Sequence, residues 1–253
     1  MEQFDELVRV MARLRAPRGC PWDREQTHRS LRRYLLEETY EAVEALDDED
    51  WRRLCDELGD VLLQVVFHAQ LAAERDEFDI EDVVAGIVSK LHRRHPHVFG
   101  DTQVADSAEV LERWEHLKHQ EEGYEDRESL LDGIPRALPA LQRASKIQSR
   151  AAKVGFDWDD ISGPWSKVHE ELGELERACE EEVEAELGDA LFALVNLARF
   201  LQVDPESALR QATTRFDRRF RTMEQAAAGN GGLRQMTLPQ MDELWERAKA
   251  DEY

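Results

Sequence analysis

The sequence predicts an all-α chain built from two tandem copies of one helical module. Apolar residues recur at helical spacing along most of its length, as at positions 4, 7, 8, 11 and 14. Glycine and proline number only 13 and 8 among 253 residues, too few to punctuate a strand-and-turn architecture. An acidic pattern near residue 38 returns near residue 171, and no run of alternating β-branched residues is present.

Taken in order, Phe4 to Leu14 has the first helical period, and Arg15–Asp23, with Pro17, Gly19 and Pro21, breaks it. A second helix from about Ser30 places Leu31, Leu35, Leu36, Val43 and Leu46 on one side. Asp47–Asp50 form a turn, with Asp50 suited to cap a long helix to about Arg75. Asp79, with Asp82 three residues on, caps a further helix through His92, which ends at His95-Pro96-His97 because proline disfavours helix in the residue before it. Glu109–Glu122 is helical again, and the linker is placed at 123–136, between a first module over 1–122 and a second over 137–253. A helix through Leu141–Ala152, the Gly155-Phe156-Asp157-Trp158 loop and a helical hairpin from Lys167 to Leu201 follow. Asp204-Pro205 is an N-cap with proline at the first helical position. Residues 229–232 form a loop, and Thr237 caps a last helix to about Ala250.

The repeat is specific. Glu37-Glu38-x-x-Glu41 matches Glu170-Glu171-x-x-Glu174, and Glu57-Leu58-Gly59-Asp60 matches Glu186-Leu187-Gly188-Asp189. Pro21-Trp22-Asp23 precedes the first copy as Phe156-Asp157-Trp158-Asp159 precedes the second. Lys90 and Arg94 pair with Arg215 and Arg219, and Trp114-x-x-x-Lys118 with Trp245-x-x-x-Lys249. Three residues advance a helix by roughly 300°, so Glu171 and Glu174 share one face, as do Glu186 and Asp189. A hairpin then brings four carboxylates together, the oxygen-rich set that Mg²⁺ favours.

A single Glu-x-x-Glu in a chain with 55 acidic residues is usually a solvated face. Here the set occurs twice, beside apolar runs that draw it toward a core. Gly59 and Gly188 also interrupt matching helices, at a cost of about 1 kcal/mol each relative to Ala. Converging carboxylates repel unless a cation neutralises them or some stay protonated. Arg215, Arg219 and Lys249 read either as surface ion pairs or as a phosphate clamp. Trp245 reads as core or as a stacking partner for a base, and the stripe Lys146, Arg150 and Lys153 is equally two-sided. His92–His97 is a poor zinc site, because the second copy has no matching histidines and no cysteine lies near.

Charge and cysteine usage narrow the classes. A net charge of −22 disfavours binding a nucleic-acid polymer or an anionic membrane, but not a single nucleotide that arrives with Mg²⁺. Cys20, Cys55 and Cys179 lack metal-type spacing and suit a reducing compartment. The amino-terminal stretch lacks a signal-peptide pattern. The most apolar windows, Val61–Ala73 and Ala190–Leu201, are interrupted by Gln64, His68, Asn196 and Arg199. Both fall short of the ~18 apolar residues a spanning helix needs. The expectation is a soluble, cytoplasmic protein.

Leu36-Glu37-Glu38-Thr39-Tyr40-Glu41, Gly19-Cys20-Pro21-Trp22-Asp23, Arg93-Arg94-His95-Pro96-His97-Val98-Phe99 and Val154-Gly155-Phe156-Asp157-Trp158 resemble the MazG family of nucleoside triphosphate pyrophosphohydrolases. The likeness covers nearly the whole chain, in the form with two four-helix-bundle-like modules. It implies a homodimer that hydrolyses nucleoside triphosphates to monophosphate and pyrophosphate with Mg²⁺, or Mn²⁺ in its place, in nucleotide-pool housecleaning or a stress response. It implies a mainly catalytic C-terminal module with metal ligands Glu171, Glu174, Glu186 and Asp189. Glu38, Glu41, Glu57 and Asp60 are a second candidate set, and Glu170 or a ligating acid would orient the attacking water. Lys167, Arg215, Arg219, Trp245 and Lys249 would contact the nucleotide. The acid pairs are spaced differently, 16 residues from Glu41 to Glu57 and 12 from Glu174 to Glu186. Two rival readings are a non-catalytic helical regulatory scaffold and a di-metal carboxylate bundle. The second needs two Glu-x-x-His motifs, and only Glu25-x-x-His28 has that form.

Overall fold

The computed structural model describes residues 2–100, 104, 106, 109–110, 128–228 and 231–250. Among them the chain forms eleven α-helices and a short 3₁₀ turn, with no strand. The chain divides into two compact units, Met1–Glu125 and Asp126–Tyr253. Most of the helix expected over Glu109–Glu122, with Trp114 and Lys118, lies outside the described residues, as do residues 123–127 and 229–230.

The first unit holds α1 (Glu2–Arg15), α2 (Pro21–Glu25), α3 (His28–Asp47), α4 (Trp51–Ala73), α5 (Ile80–Arg94) and α6 (Pro96–Phe99). Helix α3 starts two residues before the expected Ser30. Thr27 Oγ1 accepts from Ser30 N at 3.1 Å and Ser30 Oγ from Thr27 N at 2.9 Å, a reciprocal cap that fixes the earlier start. Asp50 caps α4 by accepting from Arg52 N and Arg53 N, and Asp79 with Asp82 forms the cap of α5, as the sequence predicts. Helix α2 overlaps the end of the stretch expected to be a break, Arg15–Asp23. Pro21 stands in its first turn, where a missing N–H costs nothing.

Helices α3 and α4 pack along each other as a hairpin. Met11, Leu31, Val66, Phe67 and Leu71 form the core beneath them, all at most 3% exposed. Truncating a residue so placed, Leu31→Ala for example, costs about 2–5 kcal/mol. Arg15 ties α1 to the end of α4. Its Nε and a terminal nitrogen each reach Glu74 at 2.6 Å, and these bonds hold the Glu74 carboxyl below its ordinary range.

The second unit holds α7 (Ala140–Ala152), α8 (Ser162–Arg177), α9 (Val183–Phe200), α10 (Pro205–Ala227) and α11 (Leu238–Ala250). Here α8 and α9 form the hairpin, α7 packs on α9, and α10 pairs with α11. Asp204 caps α10, accepting from Ser207 N at 2.7 Å ahead of Pro205. Thr237 does not cap α11 through its hydroxyl as expected: that group donates to Gln240 Oε1 at 3.0 Å, and the Thr237 carbonyl accepts from Met241 N. The buried cluster of this unit is small, comprising Val168, Ala193 and Leu197. A cleft lies beside the hairpin.

Candidate active site

The turn at 178–182 folds α9 back along α8, and the carboxylates meet across it. Glu171, Glu186 and Asp189 each bring one oxygen within 4.8 Å of the others. Glu170, Glu171 and Glu174 satisfy the same distance along α8, so Glu171 belongs to both groups. Glu171 is 6% exposed, whereas Glu170 and Asp189 are exposed. The expectation that apolar neighbours draw the whole set toward a core therefore holds for Glu171 but not for Glu170 or Asp189. Burial pushes the Glu186 carboxyl up, and repulsion by Glu174, Asp189 and Glu171 adds to it. Lys167, one turn before Glu171, reaches Glu171 Oε1 at 2.6 Å and Glu170 Oε1 at 2.8 Å. Those two bonds raise the Lys167 pKa and keep it charged. One ammonium among five carboxylates leaves a clear excess of negative oxygen donors. Such a donor set fits a hard divalent cation.

Glu171, Asp189 and Lys167 border a cleft of about 300 Å³ that Gln148, Trp158, Phe192 and Asn196 also line. Gln148 is 7% exposed and its Nε2 donates to the Phe192 carbonyl at 2.8 Å. Arg199 fixes Asn196 by donating to Oδ1 from Nε at 2.9 Å and from a terminal nitrogen at 2.7 Å. The same guanidinium holds Asp157, at 2.8 Å for one bond, and lowers the Asp157 pKa. Asp157 is the residue before Trp158, so one arginine anchors both the cleft loop and the cleft amide.

The first unit gathers Glu38, Glu57 and Asp60 in the same way, within 4.8 Å of one another. Glu41 is a neighbour of Glu38 through a side-chain hydrogen bond rather than a member of that trio. Burial, with repulsion from Asp60 and Glu41, pushes Glu38 up. Arg53 Nε binds Glu57 at 3.2 Å, and the same guanidinium binds Glu44. The cation thus sits on a different acid in each unit.

The remaining predicted residues lie on α10 and α11. Arg219 sits 5.7 Å from the Trp245 ring, which packs on Phe216 with centroids 5.2 Å apart. Lys249 reaches Glu246 at 2.9 Å. Arg215 is exposed on α10, and none of these four residues lines the cleft. Arg150 is structural: its guanidinium binds the Leu130 carbonyl at 2.8 Å and the Asp132 carbonyl. His169 is likewise held by the Trp165 carbonyl at 2.7 Å.

Fold and site together define a class, an all-helical protein that gathers carboxylates between paired helices beside a lysine-bordered cleft. The model of the MazG nucleotide pyrophosphohydrolase domain matches residues 26–99. The nucleoside triphosphate pyrophosphohydrolase/pyrophosphatase MazG of Thermotoga maritima is 50% identical over 97% of this chain and 95% of its own length. The nucleoside triphosphate pyrophosphohydrolase of Escherichia coli K12 is 48% identical over 100% of this chain and 99% of its own. The chain belongs to the MazG family. The crystal structure of a mazG-related protein from Thermotoga maritima is 26% identical and covers 47% of this chain and 98% of its own, with a TM-score of 0.39, too low to support the fold assignment.

Sequence reasoning did not select Gln148, Trp158 or Asn196 as site residues. A signal existed for Asn196, an amide inside the otherwise apolar run 190–197. For Gln148 there was none, since it joins the site only through a bond to a carbonyl 44 residues away.

Proposed function

We propose that this chain hydrolyses nucleoside triphosphates to nucleoside monophosphate and pyrophosphate at the cleft of its second unit. The observation that carries the proposal is that Glu171, Asp189 and Lys167 border one opening, with Glu186 grouped within 4.8 Å of the two acids. The names of the full-length relatives support the reaction class. Glu171, Glu186 and Asp189, with Glu174 beside them, would hold Mg²⁺, or Mn²⁺ in its place. The bound ion would supply charge neutralisation on the phosphate oxygens and polarisation at phosphorus.

Lys167 offers an ammonium that its acidic partners keep protonated, a point charge for a phosphate oxygen. Glu170, exposed and next to Glu171, is placed to accept a proton from attacking water. Arg215, Arg219, Trp245 and Lys249 lie outside the cleft lining, on α10 and α11, and would contact the part of the nucleotide that extends beyond it, the cations offsetting phosphate charge. A homodimer is supported by the exposed apolar row Val84, Ile87, Val88 and Leu91 on α5, between 41% and 49% exposed, of the kind that marks interaction surfaces. Two tandem MazG modules and a cytoplasmic setting complete the reading. No described helix is long and apolar enough to cross a membrane.

The test is product analysis by ion-exchange chromatography for each common NTP and dNTP, with Mg²⁺ and then with excess chelator. Monophosphate with pyrophosphate, only when Mg²⁺ is present, is the expected result. Diphosphate with orthophosphate would reject the assignment.

A further inference from the structure

The first unit holds two titratable groups that its acid trio does not use. His28 is the first residue of α3, and His68 lies in the last two turns of α4. Both are half-buried, with Nδ1 atoms 2.8 Å apart and stacked rings whose centroids are 5.0 Å apart. The hairpin turns at residues 48–50, so this contact joins α3 to α4 at the hairpin's open end. Glu38, Glu57 and Asp60 meet between the two ends. His68 follows Phe67 and His28 precedes Leu31 by one turn, so the pair also borders the buried core.

A nitrogen–nitrogen contact of this length is a hydrogen bond and needs one proton between the two atoms. His68 Nε2 is buried and has no hydrogen-bond partner. Counting protons decides what the pair can hold. Two neutral rings carry two protons. With His68 donating from Nδ1, the other proton sits on His28 Nε2, and His68 Nε2 is left as a bare nitrogen. A third proton has two places to go. On His68 Nε2 it creates a buried N–H with no acceptor, the kind of group that folded proteins avoid. On His28 Nδ1 it sets two donors face to face, and the bond is lost. The neutral pair fits its surroundings and the protonated pair does not.

Charges on the surrounding elements leave that count unchanged. Arg15 of α1 is committed to Glu74 and the Asp23 carbonyl, Arg24 of α2 to the Pro17 carbonyl, and Asp82 of α5 to the Asp79 N–H. Glu25 of α2 and Arg29 and Arg32 of α3 are exposed. Among the described residues, His28 is the group whose charge acts on His68. Burial first, and then that charge, hold the His68 pKa below the ordinary histidine value.

The second unit is built differently at both positions. The offset that carries Glu38 to Glu171 carries His28 to Ile161, and the offset from Asp60 to Asp189 carries His68 to Leu197. Ile161 stands just before α8, and Leu197 is buried on α9 with Val168 and Ala193. Two aliphatic side chains do not titrate.

We infer that the His28–His68 bond is an acid-released latch of the first unit, closing the open end of the α3–α4 hairpin while both rings are neutral. The folded state binds a proton at His68 less tightly than the unfolded chain does. The latch is therefore complete above the ordinary histidine range, about pH 6.5, and is lost as pH falls below it. Its release loosens the frame that carries Glu38, Glu57 and Asp60 and leaves the second unit's acids as they are.

Hydrogen exchange of the full chain, followed by mass spectrometry at pH 7.5 and pH 5.0 and corrected for the intrinsic rate, tests the latch. Protection over residues 31–36 and 64–72 should fall about fivefold or more at the lower pH. The matching stretches of the second unit, 164–169 and 193–201, should change by no more than about twofold. The double variant His28→Ile with His68→Leu, which copies the second unit, should lose the difference between the two pH values. An equal loss in both units, no loss in the first, or the same loss in the double variant would overturn the latch. The comparison between units is made on the wild-type protein and needs no variant to fold.

Discussion

Glu186 is where the electrostatics of the site can be read most directly. Burial and four neighbouring acids push its carboxyl above the ordinary range, so the folded state binds this proton more tightly than the unfolded chain does. Stability from that proton is full below the unfolded pKa and is lost as pH rises through the folded one. A divalent ion held by Glu171, Glu186 and Asp189 would reverse that loss, because it stabilises the ionised form. Millimolar Mg²⁺ should accordingly raise the melting temperature at pH 7.5 by a few degrees and have little effect near pH 4.5, where protons compete for the same oxygens. Scanning fluorimetry with and without Mg²⁺ at the two pH values measures this. An equal shift at both values would place the ion elsewhere. Lys167 belongs to the same balance: its single charge offsets part of that on Glu170 and Glu171 on α8 and none of that on Glu186 and Asp189, on α9.

At the scale of elements, α8 positions the site from both ends. Its acids face α9, and its first turn holds the cleft loop. A methyl group at Gly163 would lie 2.2 Å from Trp158 Cδ1, which no packing tolerates, so glycine here is what lets the indole lie against the helix. Gly163→Ala should displace Trp158 from the cleft lining and raise KM for NTPs about tenfold, as steady-state kinetics would record. Helix boundaries with a local cause were legible in the sequence: Asp50, Asp79 and Asp204 each accept the backbone N–H groups that a cap must satisfy. The acidic hairpin was legible because it is written twice. The contribution of Gln148, Trp158 and Asn196 to the cleft was not, because it needs Gln148 to reach Phe192 and Arg199 to reach Asp157, contacts between elements that no local pattern encodes. Helix α2 was missed for the opposite reason: Pro21, read as a breaker, serves as a first-turn residue.

Across the whole molecule, the two units differ in what surrounds their acids. In the first, Met11 and Phe67 close the core, and Arg53 binds Glu57. That unit also holds a half-buried histidine pair, His28 and His68, joined at 2.8 Å between Nδ1 atoms, where the second unit, in the register of His68, has Leu197. In the second, a cleft lies beside the acids, and the cation is Lys167 at its rim. The family model matches residues 26–99, in the first unit, whereas the full-length relatives match both. Similar acid sets therefore stand in different surroundings, and our account assigns turnover to the second. The most direct test replaces one acid in each unit, Glu38→Gln and Glu171→Gln, and measures pyrophosphate release from NTP with Mg²⁺, with melting temperature as a check on folding. The account predicts that Glu171→Gln lowers the rate by about a hundredfold or more while Glu38→Gln stays within about threefold of wild type. A folded Glu171→Gln protein with unchanged turnover, or a Glu38→Gln protein with none, would contradict it.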